Sequence, residues 1–81
     1  MTNKQMVLEV LVNHNCLTTR SISSFIFLKH DISLTPAQVS GALRNYMRRG
    51  LAANSPDGSG HMRYWLTDEG KQEAIKELSI E

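Results

Sequence analysis

The stretch Leu34-Thr35-Pro36-Ala37-Gln38-Val39 defines a helix start more tightly than any other part of the chain. Thr35 can accept from the Gln38 amide while the Gln38 side chain reaches back, Pro36 suits the first helical position, and Leu34 can staple onto Val39. Three separate devices mark one boundary. The helix then turns Val39, Ala42, Leu43, Tyr46 and Met47 inward, and Gly50 supplies a left-handed residue that ends it. Two short strands follow, Leu51 to Ser55 and His61 to Leu66, around the turn-forming Pro56-Asp57-Gly58-Ser59-Gly60. They form a hairpin.

Helix caps and apolar periodicity place the remaining elements. Thr2 with Gln5 caps a first helix from about Asn3 to about Asn13, whose Met6, Val7, Val10 and Leu11 form a stripe that needs burial. A second helix runs from Thr18 or Thr19 to about His30, with Ile22, Phe25 and Ile26 on one face, Phe27 and Leu28 widening it and Lys29 at its edge. Thr67 caps a last helix in which Ala74, Ile75 and Leu78 share a face, with Asp68 and Glu69 favourably near its N-terminal dipole. The fold class is mainly α with a small β-hairpin, in the order α-α-α-β-β-α.

At 81 residues the chain has room for one core, so residues 1–81 are expected to form a single domain without a separate catalytic unit. Composition, 41% hydrophobic and 21% charged, excludes a disordered chain. Cys16 is the only cysteine, which excludes an internal disulfide framework and fits a reducing compartment; it is expected to be a small buried hydrophobe. The first residues lack the apolar run of a signal peptide, and no segment reaches membrane-spanning length, so a cytoplasmic protein without membrane contact is expected.

A net charge of +1 hides an uneven distribution. Residues 35 to 66 hold Arg44, Arg48, Arg49 and Arg63 against Asp57 alone, whereas residues 67 to 81 hold two lysines against five carboxylates. Projected at 100° per residue, the third helix puts Val39, Leu43 and Tyr46 on one side and Ala37, Gly41, Arg44 and Arg48 on the other, with Gln38 and Asn45 flanking. Small residues let a helix approach the floor of a groove, Gln and Asn pair with adenine edges, and Arg pairs with guanine or phosphate. In the hairpin, His61 and Arg63 alternate with Met62 and Tyr64; the first pair is expected outside and the second inside. Trp65 falls on the outward parity, either packed on the first or last helix or held in an interface with a partner chain.

These features together resemble the winged helix-turn-helix family, particularly bacterial MarR-like and PadR-like regulators. The resemblance spans nearly the whole chain and rests on Leu34 to Leu43, on Arg49-Gly50-Leu51, and on Arg63-Tyr64-Trp65-Leu66-Thr67-Asp68-Glu69-Gly70. It implies a sequence-specific regulator of transcription that lays residues 35–49 in the major groove of double-stranded DNA and steadies them with a wing formed by residues 51–66. Thr35, Ala37, Gln38, Gly41, Arg44, Asn45, Arg48 and Arg49 of the helix, with Ser59, His61 and Arg63 of the wing, are then the DNA-binding candidates. Gly41 departs from the family pattern, where a longer polar or basic residue often stands, and offers backbone proximity instead. Similar regulators act as homodimers on paired half-sites. Here the surfaces for a dimer or another protein partner would be Met6 to Val12, Ile75 to Ile80, or Trp65.

Other chemistry has little support in the sequence. His14, His30 and His61 lack metal-ligand spacing with Cys16, Gly58-Ser59-Gly60 lacks the lysine of a phosphate loop, and His14 beside Cys16 makes a poor nucleophile and base. No metal, cofactor or enzymatic activity is expected. The alternative is a winged-helix adaptor or inhibitor of the phage or mobile-element type that binds protein rather than DNA. Low net charge, the acidic last helix and Trp65 favour it.

Overall fold

The computed structural model describes residues 2–79. Its elements are α1 (Asn3–Asn13), β1 (Leu17–Thr18), α2 (Thr19–His30), α3 (Pro36–Arg48), β2 (Ala52–Pro56), β3 (Met62–Leu66) and α4 (Asp68–Ser79). The expected order stands, with one addition. β1 was not anticipated: Leu17 and Thr18 pair with Tyr64 and Arg63, so the hairpin becomes a three-stranded antiparallel sheet in the order β1-β3-β2. Two residues are too few to show an alternating pattern in sequence. Pro56 lies in the edge strand β2, where its missing amide costs no ladder bond.

Helix starts follow the side chains that cap them. Thr2 and Gln5 close a capping box on α1, Thr18 accepts from the Ser21 amide at the start of α2, and Thr35 and Gln38 close a second box on α3. Gly50, at φ +75°, takes the left-handed residue that ends α3. The link from α2 to α3 is fixed by Asp31 in the left-handed region and by the Ser23 hydroxyl donating to the Leu34 carbonyl at 2.9 Å.

The core lies around α1, which packs against α2, α3 and α4. Met6, Val7, Leu8, Val10 and Leu11 are all buried, joined by Ile22 and Ile26 from α2, Val39, Leu43 and Tyr46 from α3, and Tyr64 and Leu66 from β3. That occupancy corrects the expectation of a dimer face at Met6 to Val12: only Val12 and Glu9 of its interior remain partly open. The core has already used the rest.

Gly70 shows how closely the last helix docks. A Cβ there would stand 1.7 Å from the Leu51 carbonyl oxygen, so the start of α4 reaches the α3–β2 turn only without a side chain. Thr67 secures the same junction. Its hydroxyl accepts from the Gly70 amide at 3.1 Å and shares its proton between the Gly50 and Leu51 carbonyls.

Several expected burial positions are corrected. Phe27 and Leu28 do not widen the inner face of α2; they stand 51% and 81% exposed, because Ile22 and Ile26 already fill the space against α1 and α3. Met62 has the inward parity but lies beyond the rim of the core and is exposed, and Ile75 turns outward while Ala74 is buried. Cys16 is exposed, at φ +65° in the loop before β1. β2 and β3 each begin one residue later than expected. Ile80, one end of an expected partner surface, lies outside the described residues.

Candidate nucleic-acid interface

The amphipathic division of α3 places its outer face in solvent. Val39, Leu43 and Tyr46 are fully buried, whereas Ala37, Gln38, Gly41, Arg44, Asn45 and Arg48 are exposed. Neither Arg44 nor Arg48 has a side-chain hydrogen bond or ion pair among the described residues. Gly41 opens onto empty space, since nothing lies within 4 Å of where its Cβ would stand. The face is low near its start and cationic near its end.

Its flanking residues are engaged differently from what a list of polar side chains suggests. Gln38 Oε1 accepts from the Thr35 amide at 2.9 Å, and the Thr35 hydroxyl accepts from the Gln38 amide at 3.1 Å. Both side chains therefore serve the cap, and one of the two acceptor positions of the Gln38 oxygen is already taken. Arg49 leans away from Arg44 and Arg48: its guanidinium lies 6.0 Å from the Tyr46 ring centre and reaches Asn45 Oδ1 at 3.5 Å. It belongs to the rear of the helix.

That rear holds a cluster joining α1, α3 and α4. Glu77 accepts from the Tyr46 hydroxyl at 2.6 Å and from Lys4 at 3.2 Å, while the Lys4 ammonium sits over the Tyr46 ring. Burial, reinforced by the Glu77 carboxylate, raises the Tyr46 phenol above its ordinary range. For Glu77 itself burial acts upward, but the Tyr46 and Lys4 hydrogen bonds outweigh it and hold the carboxyl below its ordinary value. Glu9 behaves alike, with burial opposed by Lys29 and His30.

The wing is organised around Asp57. One carboxylate oxygen accepts from the Ser59 amide, the Ser59 hydroxyl and the His61 amide at 2.8, 2.8 and 3.0 Å; the other accepts from Arg63 Nε at 3.2 Å. Hydrogen bonds from Ser59, from the His61 amide and from Arg63 together press the Asp57 carboxyl far below its usual range. Arg63 also donates to the Cys16 carbonyl at 3.2 Å, linking the wing to the loop before β1. The Ser59 hydroxyl and His61 Nδ1 stand 3.0 Å apart. Ser59 and Arg63, expected as free contacts, are thus held by the protein itself.

An open groove runs between the start of α2, α3 and the wing, bordered by Thr18, Arg20, Ser40, His61 and Arg63. Arg20 was missed in sequence. It is exposed in the first turn of α2, where the helix dipole disfavours a cation, and that misplaced charge was the available signal for an external anion. Ser40 begins the same side of α3 that Arg44 and Arg48 continue at four-residue steps. Trp65 lies across from Ala53, half-buried on the sheet face opposite Tyr64 and Leu66. Among the described residues no group of His, Cys, Asp and Glu is placed to hold a metal, and no helix is long and apolar enough to cross a membrane.

No family model and no curated protein matches the chain. Solved structures do share its fold. A winged-helix DNA-binding protein from STIV superposes with a TM-score of 0.79 at 20% identity, over 96% of this chain and 85% of that one. MepR, a transcription regulator of the Staphylococcus aureus multidrug efflux pump MepA, gives 0.76 at 24% identity, over 99% and 56%. Lactococcus lactis ZitR gives 0.72 at 17%, covering 98% of this chain, which spans about half of that protein's length. At these identities the likeness is one of fold.

Proposed function

We propose that this chain, a winged helix by fold, binds double-stranded DNA and regulates transcription through the outer face of α3. The observation that carries the reading is the exposure of Arg44 and Arg48 without partners among the described residues, on a face kept low by Ala37 and Gly41. A duplex entering along that face meets Arg20 across the groove, so phosphates of one strand can be held from two helices. Asn45 and Gln38 flank that face as the side chains that can read base edges, each with one acceptor position of its amide oxygen already used, by Arg49 and by the Thr35 amide. The structural neighbours that are a DNA-binding protein and a transcription regulator support the same kind of activity.

The wing acts by shape more than by charge in this reading. Asp57 neutralises Arg63, which leaves His61 as the wing side chain facing the groove without a competing ion pair. DNA contact by Ser59 goes through its exposed position at the tip rather than through a free hydroxyl.

The test is retention on a mixed-sequence duplex as salt is raised. The unaltered chain should bind at low salt and release with a steep salt dependence, and joint replacement of Arg44 and Arg48 by alanine should make the log–log slope shallower by about 2. A folded double variant with unchanged affinity and slope rejects α3 as the reader. If the unaltered chain shows no salt-sensitive retention, the protein-adaptor reading replaces this one, and the exposed Phe27 and Leu28 favour it.

A further inference from the structure

We infer that His61 makes the wing a proton-gated phosphate contact: the neutral ring presents a bare nitrogen that repels the DNA backbone, and the protonated ring donates to it. The inference rests on the DNA-binding reading and names a regulation of that same site.

Two linked hydrogen bonds fix the state of the ring. The Ser59 hydroxyl stands 2.8 Å from Asp57 Oδ1 and 3.0 Å from His61 Nδ1. A carboxylate only accepts, so the single hydroxyl proton of Ser59 goes to Asp57. The Ser59 oxygen is then left as an acceptor, and the proton between it and the imidazole has to come from Nδ1. Asp57 keeps this polarity at any pH near neutrality, because the donors from Ser59, the His61 amide and Arg63 hold it ionised. A neutral imidazole has one ring proton, so Nε2 is bare.

His61 is exposed and borders the groove between the wing, α2 and α3. Its Nε2 has no hydrogen-bond partner among the described residues. A lone pair set against a phosphate oxygen is repelled, whereas a second ring proton turns the same atom into a charged donor. Few other charges face it. On the wing Asp57 and Arg63 neutralise each other, Tyr64 of β3 is buried, and Thr18, Thr19 and Ser40 across the groove are neutral. Arg20 of α2 is the remaining cation there, and it opposes a charge on His61 while the groove is empty. A phosphate seated between the two reverses that sign. Duplex binding therefore takes up a proton, and by linkage affinity rises as pH falls. Imidazole is the side chain that changes charge around neutrality, so the gate works there.

Two measurements test it. In the free chain at about pH 8, nitrogen NMR should find the His61 ring proton on Nδ1, whereas an unconstrained side chain carries it mainly on Nε2. With ionic strength fixed, affinity for a mixed-sequence duplex should rise on the order of tenfold from about pH 8 to about pH 5.5. His61→Gln, whose amide offers a neutral donor near the place of Nε2 at every pH, should remove most of that rise. Ser59→Ala frees the neutral ring to carry its proton on Nε2, and should reduce the rise by strengthening binding at the higher pH. His30→Gln, at a ring paired with Glu9, should keep it. An Nε2 proton in the free chain overturns the inference, as does a rise that survives His61→Gln or is missing from a chain that binds the duplex. A chain that binds no duplex at either pH removes the DNA reading and the gate with it, whatever the ring shows.

Discussion

Arg44 and Arg48 on α3 and Arg63 on the wing are the same residue type on two neighbouring surfaces, yet they are in opposite states. The α3 pair extends into solvent with no partner among the described residues, whereas Arg63 is held between the Asp57 carboxylate and the Cys16 carbonyl. A count of arginines therefore overstates the wing. An exposed ion pair adds little to stability, commonly under ~1 kcal/mol, but it cancels the field that a polyanion would feel. The wing has exchanged charge for a defined shape, and α3 has kept its outward charge free while its cap and its buried side hold it in place.

The largest effect expected is loss of the frame that carries both surfaces. Gly70→Ala places a methyl group into the Leu51 carbonyl and should destabilise by about 4 kcal/mol or more, seen as a collapsed denaturation midpoint together with loss of DNA binding. Leu43→Ala attacks only the buried side of α3 and should cost about 2–5 kcal/mol, with the salt slope of binding retained under conditions where the variant is folded. A slope that changed in the folded variant would show that the two faces of α3 are not independent.

Arg63→Ala sharpens the contrast itself. It should leave the salt slope within about half a unit of the unaltered value, unlike the Arg44 and Arg48 double variant, while amide exchange at Ser59 and His61 accelerates as Asp57 loses one donor. A slope reduced by about 1 would mean that Arg63 leaves Asp57 for phosphate when DNA arrives.

The smallest effect is an acid pH dependence to which Glu77 behind α3 and Glu9 on α1 contribute. The Glu77 and Glu9 carboxyls are held below their reference value of 4.5 in the folded chain, so they bind protons more readily when it unfolds. Their contribution to stability is complete above about pH 5 and is lost as pH falls through the lower folded values. Glu77→Gln keeps an acceptor for Tyr46 and should flatten part of that acid slope, measured by thermal unfolding between pH 3 and 6 at about half-unit steps.

The elements were legible because their signals are local. Thr2 with Gln5, Thr35 with Gln38, and Gly50 each act within four residues, a range over which sequence spacing and spatial proximity coincide. The inner and outer faces of α3 followed from helical geometry in the same way. Phe27, Leu28 and Ile75 were misread because apolar character says that a residue can be buried but not whether room remains. Ile22, Ile26 and Ala74 had already taken it.

Sequence alone determined the caps, the helix ends, the hairpin and the side of α3 that faces water, since each depends on residues one or two turns apart. Only the tertiary structure decided which charges stay free. Arg63 meets a carbonyl 47 positions away, Tyr46 meets a carboxylate 31 positions away, and β1 exists only because β3 returns beside it. Partners so distant come together through packing of the whole core, which no local spacing encodes.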